Sequence, residues 1–453
     1  MRLKEIRTHK LFGLFDHVIP LNMDERITII HGPNGFGKTA ILRMIAGIFE
    51  SSFSALRSLP FERLDLEFDD GRSLTVTKHV EPGEDGDQTQ IVFDLTGNEP
   101  YTLSRGRMAL GQFPLGVIDD IVSGLERVTE NEWVFQPTGE TLDLDDVYDR
   151  FADKFQLHLP AEFRKQEPPD WFVNLRNSLE VHFIRANRLE RSEWEFRRRV
   201  MRRNSPTLVV ARYATELAEL IRTTLTEYAD LSQSLDRSFP RRLVTSSADT
   251  VHSMDDIQDK LSELESRRAH LTDAGLLDKE EQTQFDFPAG TDNSKIDVLS
   301  VYIEDVEKKL SVFDSLYERI DLFKTILNRR FSFKTILIDK NDGIVFVTTD
   351  GAPLSPSSLS SGEQHEVVLL YQLLFKVKPN ALMLIDEPEL SLHIAWQQQF
   401  LEDLAQITRL SKFDVLIATH SPQIISDKWD LTVELTEPNG CENTLPTTTS
   451  LTR

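Results

Sequence analysis

The residues best suited to chemistry lie in a glycine-rich loop near the start of the chain. The segment from Gly32 to Thr39 fits GxxxxGK[ST], in which glycines turn backbone N–H groups toward phosphate, a lysine reaches the β and γ phosphates, and a hydroxyl ligates Mg²⁺. A predicted strand, Ile27 to Ile30, precedes it, and a predicted helix, Ala40 to Phe49, follows it, so phosphate would meet a helix N-terminus. This pattern predicts ATP and Mg²⁺ as cofactors. The expected ATP-binding residues are Gly32, Pro33, Asn34, Gly35, Phe36, Gly37, Lys38, Thr39 and Ala40.

A second candidate group is a pair of acids that follows the apolar run Ala381 to Ile385. A buried strand of this kind delivers its last residues to the carboxyl edge of a parallel sheet, beside the phosphate loop. We expect Asp386 to hold Mg²⁺ together with Thr39, and Glu387 to orient and polarise the attacking water. The alternative is an acidic pair that caps a helix.

A third motif, Leu359-Ser-Ser-Gly-Glu-Gln364, resembles the signature of the ABC and SMC superfamily of P-loop ATPases. The resemblance implies that the signature residues Ser360, Ser361, Gly362 and Glu363 act in trans. In that superfamily the serine hydroxyl and the glycine N–H bind the γ-phosphate held by the other subunit. Transporters usually have glycine and glutamine where this chain has Ser361 and Glu363. The variant therefore resembles the SMC, RecF and OLD branch.

Further segments resemble the same branch. The run from Asp386 to His393 resembles a Walker B motif joined to a D-loop, which would comprise Ser391, Leu392 and His393. His420, after an apolar strand, resembles the switch histidine that hydrogen-bonds the γ-phosphate, although a histidine in such a place can also be structural. The aromatic residues Phe12 and Phe15 resemble the branch's turn near the adenine, or they pack in the core. Gln90 and Gln112 are both candidates for the Q-loop glutamine.

The elements that must position these motifs predict an α/β fold, an ABC-type ATPase head with a mixed sheet, flanking helices and an antiparallel β subdomain. We divide the chain into an N-terminal half (1–185), a helical insert (186–330) and a C-terminal half (331–453). Residues 100–178 receive no role. The insert is expected to break at Phe239-Pro240 and to carry one long helix from Ile303 to Leu327.

Composition limits the partners. Lys and Arg number 51 against 74 Asp and Glu, and the net charge of −23 opposes nonspecific binding of DNA. A basic segment, 185–203, could override this as a sensor of nucleic acid or an acidic protein, or it is a solvated helix face. Its arginines are Arg185, Arg188, Arg191, Arg197, Arg198, Arg199, Arg202 and Arg203.

Cysteine usage and hydropathy predict the compartment. A single cysteine, Cys441, excludes intrachain disulfides and cysteine-based zinc hooks. We find no apolar run approaching the ~20 residues of a membrane span. A cytoplasmic protein without a membrane partner is expected.

Several functions compete. An OLD-type nuclease would need a Toprim domain after the switch histidine, where only 33 residues follow His420. A transporter subunit is disfavoured by the spacing of 320 positions from Thr39 to Leu359. A RecF-like or SMC-like role in DNA repair or maintenance would call for a basic surface or long coiled-coil arms.

The favoured reading is a resemblance to the stand-alone ATPase subunits of prokaryotic antiviral defence systems such as PARIS and Septu. Val181 to Leu189 also resembles a strand-plus-arginine element of these ATPases. The resemblance implies an ATPase whose active site is completed when two copies meet face to face. Its partners would be a second copy of itself, in a dimer or higher homo-oligomer, and a separately encoded effector.

Overall fold

A computed structural model describes most of the chain. The described residues are 1–81, 88–105, 122, 124–129, 132–135, 140–143, 146–147, 151, 168–184, 206–245, 254–278, 294–390 and 394–436. They fall into two compact units, the first formed by Met1–Trp194 with Lys378–Arg453 and the second by Glu195–Val377.

The strands, numbered along the chain, are β1 (Leu3–Leu11), β2 (Phe15–Pro20), β3 (Ile27–His31), β4 (Arg63–Phe68), β5 (Ser73–Glu81), β6 (Gln88–Leu95), β7 (Tyr101–Arg105), β8 (Leu125–Arg127), β9 (Glu132–Phe135), β10 (Glu140–Asp143), β11 (Val181–Ile184), β12 (Lys334–Asp339), β13 (Gly343–Thr348), β14 (Pro353–Leu354), β15 (Leu382–Asp386), β16 (Asp414–Ala418) and β17 (Thr432–Glu434). The helices are α1 (Lys38–Phe49), α2 (Ser54–Ser58), α3 (Asp170–Ser178), α4 (Pro206–Thr245), α5 (Met254–Asp273), α6 (Ser294–Ser311), α7 (Asp314–Arg330), α8 (Ser361–Tyr371), α9 (Ile394–Ser411) and α10 (Pro422–Ile425).

A parallel sheet of strand order β11-β15-β16-β3-β17 organises the first unit. Every residue of β15 and β16 is buried, which explains their unbroken apolar runs: a parallel strand covered on both faces has no polar side. In the register, Asp386 of β15 pairs with Ala418 of β16, and Ala418 pairs with Ile30 of β3. The carboxyl ends of three strands therefore meet at one edge.

An antiparallel sheet of order β2-β1-β4-β5-β6-β7 corresponds to the predicted antiparallel β subdomain. Its buried side chains, among them Leu64 and Phe93, join those of α1 in one hydrophobic cluster. Ile41, Met44 and Ile48 of α1 are all fully buried. The helix that follows the phosphate loop is thus packed over most of its circumference, and this packing fixes the position of its N-terminus.

The segment without a predicted role, 100–178, contributes β7 to this sheet, the small antiparallel sheet β10-β9-β8, and helix α3. Phe172 of α3 packs 4.9 Å from Phe93 and 5.3 Å from Tyr101 between ring centroids. Through Tyr101 and helix α3, this segment contributes to the hydrophobic core of the first unit.

The second unit is mostly helical, and two predictions about it are wrong. Helix α4 runs through Pro240 without a break. Arg242, which bonds Asp305 of α6 at 2.6 Å, also donates to the carbonyl of Leu235 at 2.9 Å, so a tertiary anchor offsets the bond that proline removes. The expected single helix from Ile303 to Leu327 is two helices, α6 and α7, because a turn buries Phe313 against Tyr228.

The same unit holds the antiparallel sheet β12-β13-β14 and helix α8, followed by a π-helical turn at Gln372–Lys376. The signature motif at the start of α8 thus groups with the helices rather than with β15 and β16, across the boundary drawn at residue 331. The division into three segments stays a prediction.

The α/β class is confirmed, with parallel and antiparallel strands in separate sheets and a largely helical unit whose residues lie, in the sequence, between the two segments of the first unit. This arrangement is consistent with an ABC-type ATPase head. Across the described part of the chain, the structure contains no helix long and apolar enough to cross a membrane.

Candidate functional site

The phosphate loop connects the carboxyl end of β3 to helix α1 and adopts a conformation that glycine permits. Gly35 and Gly37 have φ of 88° and 94°, in the left-handed region that side chains disfavour. A Cβ at Gly37 would lie 2.4 Å from Cδ2 of Leu11, so side-chain packing also demands glycine there. Gly37 caps α1 without a side-chain hydrogen bond. The first N–H groups of the helix therefore remain for an anion.

Lys38 lies over this loop. Its side chain is buried, and Nζ donates to the carbonyl oxygens of Gly32 at 2.7 Å and Pro33 at 3.0 Å. Burial lowers the pKa of Lys38, and the nearby carboxylates of Glu387 and Asp386 oppose that effect. An ammonium group surrounded by acceptors and partly stripped of water is well suited to phosphate oxygens.

Thr39 and Asp386 join the two halves of the first unit. Thr39 Oγ1 donates to Asp386 Oδ1 at 2.9 Å, although the residues are 347 positions apart. Burial raises the pKa of Asp386, while the hydrogen bond from Thr39 lowers it. Within the described residues no group of three or more His, Cys, Asp or Glu could hold a metal ion. A hydroxyl beside one carboxylate still fits Mg²⁺, which in nucleotide sites takes few protein ligands and completes its shell with phosphate and water.

Glu387 follows in a strained conformation. Its φ of 45° is unusual for a residue with a side chain, and its N–H donates to the carbonyl of Ala418 at 2.8 Å. That bond ties the turn after β15 to the end of β16. The side chain is 27% exposed, so it can reach solvent at the sheet edge, as a group that orients water must.

His420 lies at the same edge, beyond β16, and faces two carboxylates. Its Nδ1 is 3.7 Å from Oε1 of Glu387 and 3.1 Å from Oε1 of Glu389. The structure therefore brings together Lys38, Thr39, Asp386, Glu387 and His420, all predicted from sequence.

Glu389 is the residue that sequence reasoning missed. Its buried carboxylate accepts hydrogen bonds from the Thr419 hydroxyl at 2.8 Å and from the His420 N–H at 3.1 Å. A signal existed in its position two residues after Glu387, in a segment already singled out. The sequence alone could not show that Glu389 lies within hydrogen-bonding distance of His420, which is 31 positions away.

Aromatic residues flank the loop. The Phe15 ring lies 5.0 Å from that of Phe36 and 5.6 Å from that of His17, whose Nε2 is 2.9 Å from the carbonyl oxygen of Phe36. Burial lowers the pKa of His17. These contacts give Phe15 a packing role. A role of Phe12 or Phe15 beside adenine stays a prediction.

The signature residues begin helix α8 in the second unit. Ser360 and Glu363 form a reciprocal capping box: Ser360 Oγ accepts from the Glu363 N–H at 3.3 Å, and Glu363 Oε2 accepts from the Ser360 N–H at 2.7 Å. Ser360 and Gly362 are exposed, and no atom lies within 4 Å of a Cβ built on Gly362. For Ser361 only the backbone is described. Ser391, Leu392 and His393, the basic segment 185–203 and Gln112 lie outside the described residues, while Gln90 lies in β6.

A phosphate loop and a carboxylate pair at the carboxyl edge of one parallel sheet are the features of a P-loop ATPase. The chain belongs to the family described as "AAA domain, putative AbiEii toxin, Type IV TA system", which matches residues 135–426. The matched range contains the signature motif, Asp386, Glu387 and His420, and begins after the phosphate loop.

No curated protein matches the chain. Among solved structures it is similar to the Smc head domain with an extended coiled coil from Pyrococcus furiosus, bound to the C-terminal domain of ScpA (13% identity, 96% of this chain and 94% of that one, TM-score 0.34). It is also similar to the SMC head domain from Thermotoga maritima (13% identity, 96% and 95%, TM-score 0.33).

Proposed function

We propose that this chain hydrolyses ATP to ADP and phosphate at the carboxyl edge of its parallel sheet. The observation that carries the proposal is the hydrogen bond between Thr39 of the phosphate loop and Asp386 of β15. That bond sets side by side the two oxygen ligands that Mg²⁺ would need, at the N-terminus of a helix suited to phosphate.

Each residue contributes a separate part of the chemistry. Lys38 and the N–H groups that open α1 bind the β and γ phosphates. Glu387 orients a water molecule for attack on the γ-phosphate and accepts the proton that this water loses as the new O–P bond forms. The bond from the γ-phosphorus to the bridging oxygen breaks, and ADP is the leaving group. His420 contacts the γ-phosphate and responds to its loss. When bound at Thr39 and Asp386, Mg²⁺ neutralises charge on the phosphates.

The site is completed by a second copy of the chain. One loop neutralises only part of the charge of ATP, and the start of α8 offers a serine hydroxyl at an exposed helix N-terminus. Ser360 Oγ already accepts from the Glu363 N–H, so its own O–H is available to donate. Charge-assisted bonds worth about 1.5 to 3 kcal/mol each would couple dimerisation to the γ-phosphate.

Replacement of the water-orienting group tests the chemistry. Glu387→Gln keeps the size of the side chain and removes its charge, so ATP binding is expected to persist while kcat falls by about 10²-fold or more. Glu434→Gln, the same change at an exposed residue of β17, provides the matched control. Wild-type turnover in Glu387→Gln would contradict the assignment.

Mixing of two inactive variants tests the composite site. A dimer of one Lys38→Ala subunit and one Ser360→Arg subunit retains one intact site, with the loop from the Ser360→Arg chain and the signature from the Lys38→Ala chain. Partial recovery of ATPase activity is expected. If both variants fold and form mixed dimers but recover no activity, independent composite sites are ruled out.

Within the cell, ATP-dependent dimerisation would sense or regulate a partner, in an antiviral defence system with a separately encoded effector. The family description names a putative toxin of a type IV toxin–antitoxin system, which supports a role in such systems. The net charge of −23 weighs against the alternative, a DNA repair or maintenance ATPase. Phage challenge of cells carrying the native locus or its Lys38→Ala version tests the role. Equal plaque counts for the two would contradict it.

A further inference from the structure

The side chain of Glu389 is less exposed than that of Glu387, and hydrogen bonds hold its carboxylate in place. Its side chain is 7% exposed, whereas that of Glu387 is 27% exposed. Both of its carboxylate oxygens lie 2.8 Å from Thr419 Oγ1, and Oε1 also accepts from the His420 N–H. Thr419 is fully buried, and its own N–H donates to the carbonyl of Ile30 in β3. The carboxylate therefore fixes the turn after β15 to the ends of β16 and β3.

The same carboxylate decides which nitrogen of His420 carries a proton. Nδ1 lies 3.1 Å from Glu389 and 3.7 Å from Glu387. Ionised carboxylates are acceptors only, and a lone pair on Nδ1 would be repelled by both. Nδ1 is therefore protonated, and Nε2 is the nitrogen left to act on another group.

A phosphate oxygen is also an acceptor, so Nε2 contacts it favourably only when it carries a proton too. With nucleotide bound, the His420 ring would donate from Nδ1 to Glu389 and from Nε2 to the γ-phosphate. Lys38, also in the field of these acids, supplies a positive charge to the site.

We infer that Glu389 is a positioning residue that holds His420 with Nδ1 protonated and Nε2 directed to the γ-phosphate. The inference rests on the proposed ATPase function and adds to it a residue with no contact of its own to nucleotide. Without the carboxylate, a neutral His420 is free to place its proton on either nitrogen, and the backbone of residues 419 and 420 loses an anchor.

Glu389→Gln and Thr419→Val, compared in the full chain with Glu434→Gln, test this inference. Glu389→Gln removes the charge that faces Nδ1, and Thr419→Val removes the hydroxyl that holds the carboxylate. Both are expected to lower kcat about 10-fold or more and to change KM less than about 3-fold, because binding rests on the phosphate loop. In the His420→Ala background, Glu389→Gln is expected to cause no further loss. The ¹⁵N resonances of the His420 ring are expected to report a protonated Nδ1 that Glu389→Gln removes or exchanges.

Two outcomes would overturn the inference: wild-type kcat in both variants, or a loss from Glu389→Gln that multiplies with that of His420→Ala. If Glu389→Gln does not fold, the inference is tested by the kcat of Thr419→Val and by the ¹⁵N spectrum of the native protein, in which an unprotonated Nδ1 of His420 would overturn it. Failure of the ATPase assignment itself would be seen in a different variant, as undiminished turnover in Glu387→Gln. The two failures are therefore distinguishable.

Discussion

The same substitution at two buried aspartates of adjacent strands is expected to change stability in opposite directions. Asp386 is the last residue of β15 and Asp414 the first of β16, and they are 7% and 5% exposed. Their partners differ. A neutral hydroxyl, that of Thr39, donates to Asp386, whereas the guanidinium of Arg2 donates twice to Asp414, at 2.6 and 2.8 Å.

The negative charge of Asp386 destabilises the nucleotide-free protein. Burial raises the pKa of Asp386; the Thr39 hydrogen bond and Arg43 oppose the rise, and Glu387 and Glu389 add to it. A buried ion carries an effective penalty of several kcal/mol, of which these favourable contacts offset a part. Asn keeps an oxygen for Thr39 and removes the charge. We expect Asp386→Asn to stabilise the nucleotide-free protein by about 1 to 2 kcal/mol at neutral pH.

The dependence on pH follows from the raised pKa. A group whose folded pKa is raised contributes stability that is fully present below its unfolded value, about 3.9 for aspartate, and is lost as pH rises through the folded value. The advantage of Asp386→Asn is therefore expected to be full at neutral pH and to shrink as the medium is acidified.

At Asp414 the charge is required. The hydrogen bond to Asp414 raises the pKa of Arg2, and Asn would leave this largely buried guanidinium without a charged partner. A loss of about 2 to 4 kcal/mol is expected. Urea unfolding with EDTA and without nucleotide, with unchanged m-values, measures both variants. A destabilised Asp386→Asn would refute the reasoning. So would a shift of the same sign in both variants.

Three further predictions concern other parts of the chain. Lys38→Ala is expected to abolish ATP binding or turnover, as measured by nucleotide titration and phosphate release, with an unchanged circular dichroism spectrum. Gly343→Ala should destabilise the second unit by about 3 kcal/mol or more in thermal unfolding, because its Cβ would lie 1.8 Å from the carbonyl oxygen of Ala214. Gly351 has a similar φ but open space around it, so Gly351→Ala should cost only about 1 to 2 kcal/mol. Reversal of Arg197, Arg198 and Arg199 to Glu should abolish recognition of a partner or trigger and leave basal hydrolysis near wild type; joint loss of folding and hydrolysis would make the segment structural.

The sequence predicted the first unit well where local pattern and tertiary environment agree. The ends of β3 and β15 were predicted to within a residue, because an apolar run bounded by turn or acidic residues has few other interpretations. Lys38, Asp386 and Glu387 stand out in the sequence because each lies in a short local motif whose chemistry demands its residue type.

Elsewhere the predictions from sequence were wrong because tertiary contacts determine the structure. Proline is a sound signal of a helix break, yet the ion pair of Arg242 with Asp305, 63 positions away, holds α4 together beyond Pro240. Periodicity cannot distinguish one helix from two that share an apolar stripe, so the turn that buries Phe313 could not be predicted from the sequence. The grouping of α8 with the helices depends on packing between segments far apart in sequence.

The signature variant illustrates how such a contact changes the meaning of a residue. In sequence, Glu363 is only a departure from the glutamine of transporters, and a carboxylate there would repel a phosphate. In the structure Lys334 of β12 lies 2.7 Å from its Oε2, and although burial raises the pKa of Glu363, the hydrogen bonds from Lys334 and Ser360 outweigh that effect and lower it. The carboxylate is thus ionised, paired and committed to the Ser360 N–H. Since its charge is countered by a lysine 29 positions earlier, the start of α8 keeps a fixed serine hydroxyl without presenting an unbalanced negative charge to a nucleotide.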